Sequence, residues 1–544
     1  MPFFAKEHIS IPTKDILTWQ CEGPTYDENK LIYIDAADPS KSISAKEARV
    51  LIRKLIAGFR TAGVKKGDAV LIQSFNNIYY PILVLGIIGA GGIYTGTNPS
   101  YTTTELDNAI KLSKANFIIT EPECLPTIKT AAQNLNIASD NILILDTQSN
   151  QQIPPGFKSW RTLLDHGEQD WHRFDDLATA QNTTAMLWFS SGTTGLPKAA
   201  QVSHYNLVAE HHIAFESRPR PYDMSRLVFL PMFHASTAPN THVSPLRAGT
   251  TQVIMKRFDL ATFFTHVEKF AVTDLILVPP IVATIVSTTL FSAAEKRTKF
   301  RNLKWVIAGA APLDAVMQAR LQTLLPCPFT QAWAMTETTC LATGFDYPST
   351  DDTASVGHFL PNLDVKIVDD EGVDITAFGV TGELAIRGPT VVRGYVDVPR
   401  LRDFDSEGYF RTGDVVYADE VSGKWYIVDR KKDLIKVRGF QVAPAELEGV
   451  LLEHPDILDA AVVGVPDREA GSELPRAYVV RMNGAAGLGE REVEVWVETR
   501  LARYKRLVGG VRFVPVGGIP KSPSGKILKR VLRELAKREV GSKL

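Results

Sequence analysis

The chain has 544 residues, and its 60 Lys and Arg residues against 61 Asp and Glu residues give a formal net charge of −1. This balance lacks the basic excess of nucleic-acid binders, so we expect no nucleic-acid partner. Hydrophobic residues make up 44% of the chain and charged residues 22%, which excludes a fibrous or largely disordered protein. At roughly 100–200 residues per domain, the length predicts about three domains or subdomains.

The cysteines and the apolar segments predict a soluble protein from a reducing compartment. The four cysteines include no CxxC pair, so we expect neither a disulfide scaffold nor a thiolate zinc site. The N-terminus lacks the apolar run of a secretory signal. The most hydrophobic run, residues 81–95, is shorter than the roughly 20 residues that span a bilayer, and we interpret it as a buried helix that leads into a turn or strand.

The first 180 residues alternate helical and strand-like patterns, which favours an α/β architecture. Apolar residues recur at helical spacing over residues 44–62, and Gly63 follows as a stop signal. Strands are predicted at residues 68–74 and 116–120.

The middle of the chain predicts strand–loop–helix units. A strand at 185–189 leads into a Gly/Thr loop, and a strand at 199–202 precedes a helix through residue 215 that Ser203 can cap. Further predicted elements are strands at 227–230, 274–278 and 305–307, and a helix near 313–325.

From residue 382 the pattern changes to hairpins, and a smaller unit follows the basic segment 430–438. This unit predicts helices at 445–453 and 490–501 and strands at 458–464, 476–480 and 511–514. We therefore predict an N-terminal domain over residues 1–428 and a C-terminal domain over 429–541, with the boundary at 429–432.

Residues 190–198 read SSGTTGLPK and follow a buried strand. Glycine backbones and hydroxyl groups in such a loop can turn several donors towards a polyphosphate, and Lys198 adds a positive charge. The spacing differs from that of a Walker A loop, in which Gly-Lys directly precedes Ser or Thr, so a P-loop ATPase is excluded.

Three further segments suit a nucleotide. Thr336 and Glu337 place a hydroxyl beside a carboxylate that could hold a phosphate oxygen and its Mg²⁺, and Trp333 could stack on a base. Asp414 could accept hydrogen bonds from ribose hydroxyls, and Lys526 ends a polar loop. Each segment by itself also fits an ordinary strand, turn or solvated loop.

In order and spacing, these segments resemble the adenylate-forming superfamily, which includes acyl-CoA synthetases, 4-coumarate–CoA ligases, luciferases and peptide-synthetase adenylation domains. The resemblance extends along nearly the whole chain and is strongest to the 4-coumarate–CoA ligase and luciferase-like branch. The motifs that carry it are SSGTTGLPK (190–198), LPMFHA (230–235), AGAAPL (308–313), QAWAMTE (331–337), GELAIRGP (382–389), RTGD (411–414), DRKKDLIKVRGFQVAPAELE (429–448) and PKSPSGK (520–526).

The resemblance implies an α/β fold with a large N-terminal domain of stacked α/β subdomains, a β-barrel-like subdomain and a small, mobile α+β C-terminal domain. It also implies an ATP-dependent ligase with Mg²⁺ as cofactor and coenzyme A as co-substrate. Such an enzyme joins a carboxylic acid to AMP, releases pyrophosphate, and transfers the acyl group to coenzyme A. Because a carboxylate is already anionic, the first step needs alignment and charge neutralisation more than a general base.

The resemblance implies a role for each matching residue. Lys526 would bridge the substrate carboxylate and the α-phosphate, and Lys436 would replace it after a rotation about Lys432. Thr336 would contact the α-phosphate, and Glu337 would ligate Mg²⁺. The other implied phosphate-binding residues are Ser190, Ser191, Gly192, Thr193, Thr194, Gly195 and Lys198. The implied ribose-binding residues are Asp414 and Arg430, and the implied adenine slot consists of Gly309, Ala310, Ala311, Gln331, Ala332 and Trp333. The implied coenzyme A site consists of Arg257, Arg438 and Gly439, and the implied acyl pocket consists of His234, Ser236, Asn240, Ala332 and Gln441.

Around the implied acyl pocket, the sequence departs from plant coumarate ligases. Ala332-Trp333-Ala334 stands where they have Gly-Tyr-Gly, and Ser236 stands where the coumarate-binding enzymes have a tyrosine. After Glu337 the chain reads TTCL instead of Ala-Gly-Pro-Val. We therefore expect 4-coumarate to be no better a substrate than an aryl, arylacetic, medium-chain or specialised-metabolite acid.

The sequence ends in Ser542-Lys543-Leu544, a tripeptide that a soluble peroxisomal import receptor recognises. It predicts a protein made in the cytosol and imported into the peroxisome matrix. Two other activities stay open at this point, a luciferase-like oxygenase and an adenylating enzyme that serves a carrier protein. A non-catalytic nucleotide-binding protein would require losses at Lys526, Glu337 or Lys198, and all three are present.

Overall fold

The computed structural model describes residues 1–148, 151–190, 198–311, 313, 315–437, 440–467, 472–522 and 525–541. Two seven-stranded sheets form the N-terminal body, and a four-stranded sheet follows them. A three-stranded sheet belongs to the C-terminal unit, and three two-stranded pairs complete the β-structure of the described residues.

The first seven-stranded sheet comes from residues 69–203. Its strands, in spatial order, are Lys158–Ser159, Ile142–Ile144, Ala115–Thr120, Ala69–Gln73, Ile93–Thr97, Thr184–Ser190 and Lys198–Ser203. All neighbours run parallel except the last pair, which is antiparallel. The central strand Ala69–Gln73 is buried along its whole length, as expected for a parallel strand that helices cover on both faces.

The second seven-stranded sheet also consists mainly of parallel strands. In spatial order they are Phe329–Gln331, Trp305–Ala308, Asp274–Leu277, Ser225–Val228, Thr251–Ile254, Leu31–Asp35 and Ser42–Ser44, and only the last pair is antiparallel. In open α/β sheets, ligands bind at the carboxyl ends of the strands. The predicted adenine-slot residues directly follow two of these ends, after Ala308 and at Gln331.

The helices of the N-terminal body confirm the main helical predictions. The predicted helix 44–62 spans Ala45–Thr61, with Ser44 and Glu47 forming a capping box at its start. The apolar run 81–95 forms the buried helix Tyr80–Ala90 and then a strand. The other α-helices are Ile16–Cys21, Thr103–Ser113, Leu125–Asn134, Leu177–Asn182, His204–His211, Ser244–Ala248, Leu260–Lys269, Pro279–Ser287, Ala293–Lys299 and Ala315–Gln322.

Two details differ from the predictions in this body. The Ser203 hydroxyl caps the helix that follows it, as predicted. The α-helical part of that helix ends at His211, and the next residues, His212–Glu216, form a π-helical turn. The helix predicted near 313–325 is shorter and spans Ala315–Gln322.

The hairpin-rich region forms a four-stranded antiparallel sheet. Its strands, in both chain and spatial order, are Asp364–Val368, Gly382–Arg387, Phe410–Ala418 and Trp425–Arg430. The antiparallel register pairs Asp414 directly with Arg430. Two short pairs lie nearby, Ala334–Met335 with Cys340–Leu341 and Thr343–Gly344 with His358–Phe359.

The C-terminal unit contains the predicted elements and two that the sequence analysis missed. The three-stranded sheet consists of Ile457–Asp467, Ser472–Arg481 and Val511–Phe513, and the two predicted helices are Pro444–Leu452 and Glu490–Glu498. The missed elements are the strand pair Ile435–Val437 with Phe440–Val442 and the helix Lys529–Gly541. That helix is strongly charged and buries Leu532 and Ala536, which lie four residues apart on one face.

None of the described helices is long and apolar enough to cross a membrane. The terminal tripeptide Ser542-Lys543-Leu544 lies outside the described residues, so peroxisomal import stays a prediction.

Candidate active site

A cavity of about 690 Å³ lies between the N-terminal body and the C-terminal unit. Its volume falls in the range of small-molecule and cofactor sites. Predicted nucleotide-site residues from both units line it: Ala310, Ala311, Gln331, Ala332, Trp333, Asp414, Arg430 and Lys526. The structure therefore brings together residues that lie more than 200 positions apart in the chain.

On one wall of the cavity, Asp414 is a buried carboxylate with two partners. The Trp333 indole Nε1–H donates to Asp414 Oδ2 at 2.8 Å, and Arg430 Nε lies 2.9 Å from Asp414 Oδ1. The pKa of Arg430 is raised, mainly because the negative charge of Asp414 favours the charged guanidinium group. The sequence placed Trp333 in the adenine slot and Asp414 at the ribose, and the structure links the two side chains directly.

Gln331 fixes the backbone at the floor of the cavity. Its amide nitrogen donates to the Leu313 carbonyl and to Gln318 Oε1, both at 2.8 Å, and its Oε1 accepts from Leu313 N at 3.1 Å. The adjacent Ala310 adopts a left-handed backbone conformation with φ of 72°, which is uncommon for a residue with a Cβ. Gln331 therefore shapes the adenine slot through its neighbours.

Glu337 is buried and accepts two hydroxyl donors on one oxygen. Ser190 Oγ donates to Glu337 Oε1 at 2.7 Å, and the Tyr395 hydroxyl donates to the same atom at 2.5 Å. Burial and the Glu337 carboxylate raise the pKa of Tyr395, so this phenol remains a donor. Thr336 begins the short 3₁₀ turn that carries Glu337.

Lys198 is buried and contacts the same tyrosine. Its Nζ lies 3.1 Å from Asp403 Oδ1 and 4.5 Å from the centre of the Tyr395 ring. The sequence analysis missed Tyr395 and Asp403, because residues 390–405 contain none of the motifs that carry the family resemblance. The loop residues Ser191, Gly192, Thr193, Thr194 and Gly195 lie outside the described residues.

Lys526 approaches the cavity from the C-terminal unit. Burial is the main cause that lowers its pKa to about 8, and the positive charges of Arg430 and Lys432 act in the same direction. Its backbone N–H donates to Ser522 Oγ at 3.1 Å, and its carbonyl accepts from Ser522 N at 2.8 Å. This turn holds the lysine towards the Asp414–Arg430 pair.

The loop before Lys526 packs against the N-terminal body at Gly525. Gly525 has φ of +81°, and a Cβ built there would lie 2.7 Å from Pro280 Cγ. Pro280 belongs to the helix Pro279–Ser287, which also lines the cavity. We name Trp333, Glu337, Asp414 and Arg430 the nucleotide wall, because the first and last two line the cavity and the charge of Glu337 acts on Arg430. A side chain at position 525 would therefore force the Lys526 loop away from this wall.

His234 and Ser236 form a local hydrogen-bonded pair. His234 Nδ1 accepts from Ser236 N at 3.1 Å and lies 2.9 Å from Ser236 Oγ. Burial lowers the pKa of His234 to about 4, with a contribution from the positive charge of Lys526, so the imidazole is neutral near pH 7. The charge of Lys526 acts on His234, which the sequence analysis assigned to the acyl pocket.

The segment that departs from coumarate ligases lies beside this pair. The Cys340 thiol donates to the Ser236 carbonyl at 3.7 Å, and Leu341 N donates to the buried Glu210 carboxyl at 2.8 Å. Burial raises the pKa of Glu210 well above its ordinary value. The sequence analysis missed Glu210, which sits in the apolar helix His204–His211 without a motif.

Neither Arg257, predicted to bind coenzyme A, nor the predicted catalytic Lys436 lines the cavity. Lys436 is exposed on the strand Ile435–Val437, and its backbone N–H donates to Glu473 at 2.9 Å. Arg257 and Lys432 are also exposed. Arg438 and Gly439 lie outside the described residues, and Gln441 is described only as part of the strand Phe440–Val442. The structure thus places Lys526 at the nucleotide wall and leaves Lys436 outside it.

Known proteins match the chain over nearly its whole length. The AMP-binding enzyme family model matches residues 17–396, and the model of the AMP-binding enzyme C-terminal domain matches residues 446–526. The phenylacetyl-CoA ligase epaB of Aspergillus niger is 50% identical over 539 residues, 98% of this chain and 99% of that protein. The acyl-CoA ligase azaF of Aspergillus niger is 49% identical over 537 residues, 98% and 100% of the two chains.

A solved structure shows the same architecture. The crystal structure of ATP-bound MatB from Rhodopseudomonas palustris has a TM-score of 0.84 at 26% sequence identity, and the alignment covers 96% of this chain and 99% of that one. The chain therefore belongs to the AMP-binding enzyme family, within the adenylate-forming superfamily. Its enzyme class is that of the AMP-forming acid–thiol ligases, the acyl-CoA ligases. The predicted family, fold class and enzyme class are confirmed.

Proposed function

We propose that this protein activates an aryl, arylacetic, medium-chain or specialised-metabolite carboxylic acid with ATP and transfers the acyl group to coenzyme A. One observation carries the residue roles: Lys526 of the C-terminal unit lines the same cavity as Asp414, Arg430 and Trp333 of the body. The 50% identity to a protein named phenylacetyl-CoA ligase supports the arylacetic member of this substrate class.

In the first step, the substrate carboxylate attacks the α-phosphorus of ATP and pyrophosphate leaves. Lys526 would lie between the carboxylate and the α-phosphate and stabilise the negative charge as the bond forms, because a charge held in a partly buried site acts more strongly than in water. Thr336 would contact the same phosphate. The neutral His234 adds no second positive charge beside Lys526.

Glu337 has the properties of a Mg²⁺ ligand. It offers hard carboxylate oxygens, and Ser190 and Tyr395 fix its orientation. The described part of the chain contains no group of three His, Cys, Asp or Glu that could hold a metal ion, so ATP phosphate oxygens and water would complete the coordination. Bound Mg²⁺ would supply charge neutralisation for the phosphates, while Lys198 holds the β- and γ-phosphates beside Tyr395.

The second step requires a different face of the C-terminal unit. Lys431 Nζ pairs with Asp370 of the body at 2.8 Å, whereas Asp433 pairs with Arg533 of the C-terminal helix at 2.9 Å. Lys432 lies between these two anchored residues, which supports it as the pivot. The contact of Ala445 N with Asp429 Oδ2 at 3.0 Å crosses the boundary and would break on rotation.

The experiment is a panel of carboxylic acids offered to the purified protein with ATP, Mg²⁺ and coenzyme A. We expect acid-dependent pyrophosphate release, AMP and an acyl-CoA thioester. A clear preference for 4-coumarate would contradict the proposed substrate class. Pyrophosphate release without transfer to coenzyme A would point instead to a carrier protein or an oxygenase reaction.

A further inference from the structure

A second, smaller cavity of about 30 Å³ lies next to the His234–Ser236 pair, and several buried polar side chains reach its otherwise apolar lining. Arg226 and Gln252 line it from the neighbouring strands Ser225–Val228 and Thr251–Ile254, where they are paired in register. Ser236, Thr237 and Asn240 line it from the opposite side. Ser236 therefore separates this cavity from His234.

Arg226 is a buried cation whose guanidinium group is only partly satisfied. The residue is 7% exposed. Its Nη1 donates to Asn240 Oδ1 at 3.2 Å, its Nη2 lies 3.8 Å from Met224 Sδ, and its Nε has no partner. The carboxylate of Asp274, which is paired with Arg226 in register on the neighbouring strand, balances part of its charge, but the guanidinium Nε has no hydrogen-bond acceptor. A buried polar group whose hydrogen bonds are only partly made is costly.

Two neutral side chains on the same cavity are also unsatisfied. Gln252 is fully buried, and neither its amide nitrogen nor its amide oxygen has a partner; the buried Thr237 hydroxyl also lacks one. Buried polar atoms are hydrogen-bonded in the large majority of cases. Three such residues around one cavity therefore indicate a group that enters it and completes their hydrogen bonds.

We propose that Arg226, Thr237, Asn240 and Gln252, here named the distal polar subsite, receive a hydrogen-bond acceptor at the far end of the acyl substrate. This inference rests on the proposed function, since it concerns the acid that the enzyme activates. The carboxylate end would lie at Lys526 and the acceptor end at Arg226, with the His234–Ser236 pair between them. The subsite selects oxygenated or heteroaromatic acids over plain hydrocarbon acids.

The size and chemistry of the distal polar subsite define the acceptor. A cavity of about 30 Å³ has room for about one water-sized group, so the subsite suits a single hydroxyl or carbonyl oxygen or a ring nitrogen. Arginine only donates hydrogen bonds, whereas Gln252 and Thr237 both donate and accept. A phenolic hydroxyl can therefore accept from Arg226 and donate to the Gln252 carbonyl.

The experiment compares phenylacetic acids that carry either a hydroxyl or a methyl group at ring position 3 or 4, since these substituents are similar in size. For the wild-type enzyme, we expect kcat/KM for adenylation to be at least about tenfold higher for the hydroxyl acid at one of these positions. Arg226→Met should lower kcat/KM for the hydroxyl acids more than for the methyl acids, mainly through KM, and so remove this preference. Arg220→Met is the matched control, because the Arg220 guanidinium stacks 3.5 Å from the Trp305 ring and does not line this cavity.

Gln252→Met provides a second variant, should Arg226→Met fail to fold, and it should reduce the same preference. Equal kcat/KM values of the wild-type enzyme for hydroxyl and methyl acids would overturn the inference. So would a hydroxyl preference that persists in both folded variants. Absence of pyrophosphate release with every acid would contradict the proposed function itself, whereas turnover without discrimination contradicts only the distal polar subsite.

Discussion

The nucleotide wall and the distal polar subsite differ in whether their buried polar side chains have hydrogen-bond partners. On the nucleotide wall, Glu337 accepts two hydroxyl donors and Asp414 accepts from an indole and a guanidinium group. In the distal polar subsite, Arg226, Thr237 and Gln252 all have polar atoms without a partner. The carboxylates of the first region are paired with donors, whereas several polar atoms of the second region have no hydrogen-bond partner.

These two arrangements favour a ligand in different ways. Side chains that hold one another in place need little reorganisation when the ligand arrives, which suits the fixed chemistry of ATP. Buried groups without partners favour the one ligand that satisfies them and reject analogues that leave them unpaired. In the proposed reaction, the nucleotide wall would hold ATP, and the distal polar subsite would select the acid.

The largest effect is expected from Lys526→Ala. Acyl-AMP formation should fall by about 10²–10³-fold or more, because the charge that bridges the carboxylate and the α-phosphate is removed. Pyrophosphate release measures this step. Lys521→Ala is the control, since Lys521 lies in the same loop but pairs with Asp459 at 2.6 Å. Adenylation that survives in Lys526→Ala would remove Lys526 from its role.

Glu337→Gln tests whether the paired carboxylate of the nucleotide wall serves Mg²⁺. We expect adenylation to fall by about a hundredfold and the Mg²⁺ concentration needed for half-maximal rate to rise, because one negative charge is lost. Tyr395→Phe keeps the carboxylate and removes only one donor to it, so its effect should be a few-fold at most. An unchanged Mg²⁺ requirement in Glu337→Gln would contradict the metal assignment.

Gly525→Ala tests whether the packing of the Lys526 loop against Pro280 sets the adenylation geometry. Overpacking costs about 1–3 kcal/mol, so we expect about a tenfold or greater loss of adenylation. Thioester formation from supplied acyl-AMP should stay near the wild-type rate. Gly517→Ala is the control, since Gly517 has φ of +78° and no atom within 4 Å of a Cβ built there. Equal losses in both variants would show that backbone strain alone is responsible.

The wild-type enzyme should also respond to pH. Burial lowers the pKa of Lys526 to about 8, so its positive charge is lost as the pH rises through about 8 and adenylation should fall to about one-tenth of its maximum near pH 9. His234, with a pKa lowered to about 4, should add no change between about pH 6 and 7.5. A kcat/KM for adenylation that keeps rising above pH 9 would exclude a charged Lys526 as the active form.

Local signals in the sequence were sufficient for most elements. Ser44 and Glu47 mark the start of the helix Ala45–Thr61, because their capping box lies within four consecutive residues and can be recognised in the sequence. The helix Lys529–Gly541 was not among the predicted elements, although Leu532 and Ala536 recur at helical spacing and are buried together.

By itself the sequence determined the family. It also located the motifs of the proposed nucleotide site, which are a Gly/Thr loop, a Thr-Glu pair, an Asp and two lysines. Only the tertiary structure decided which residues complete that chemistry. Tyr395 joins Lys198 to Glu337, and Arg226 meets Gln252 across paired strands. Contacts between distant segments depend on how the sheets pack, and burial then determines which polar groups are paired, so local sequence does not reveal them.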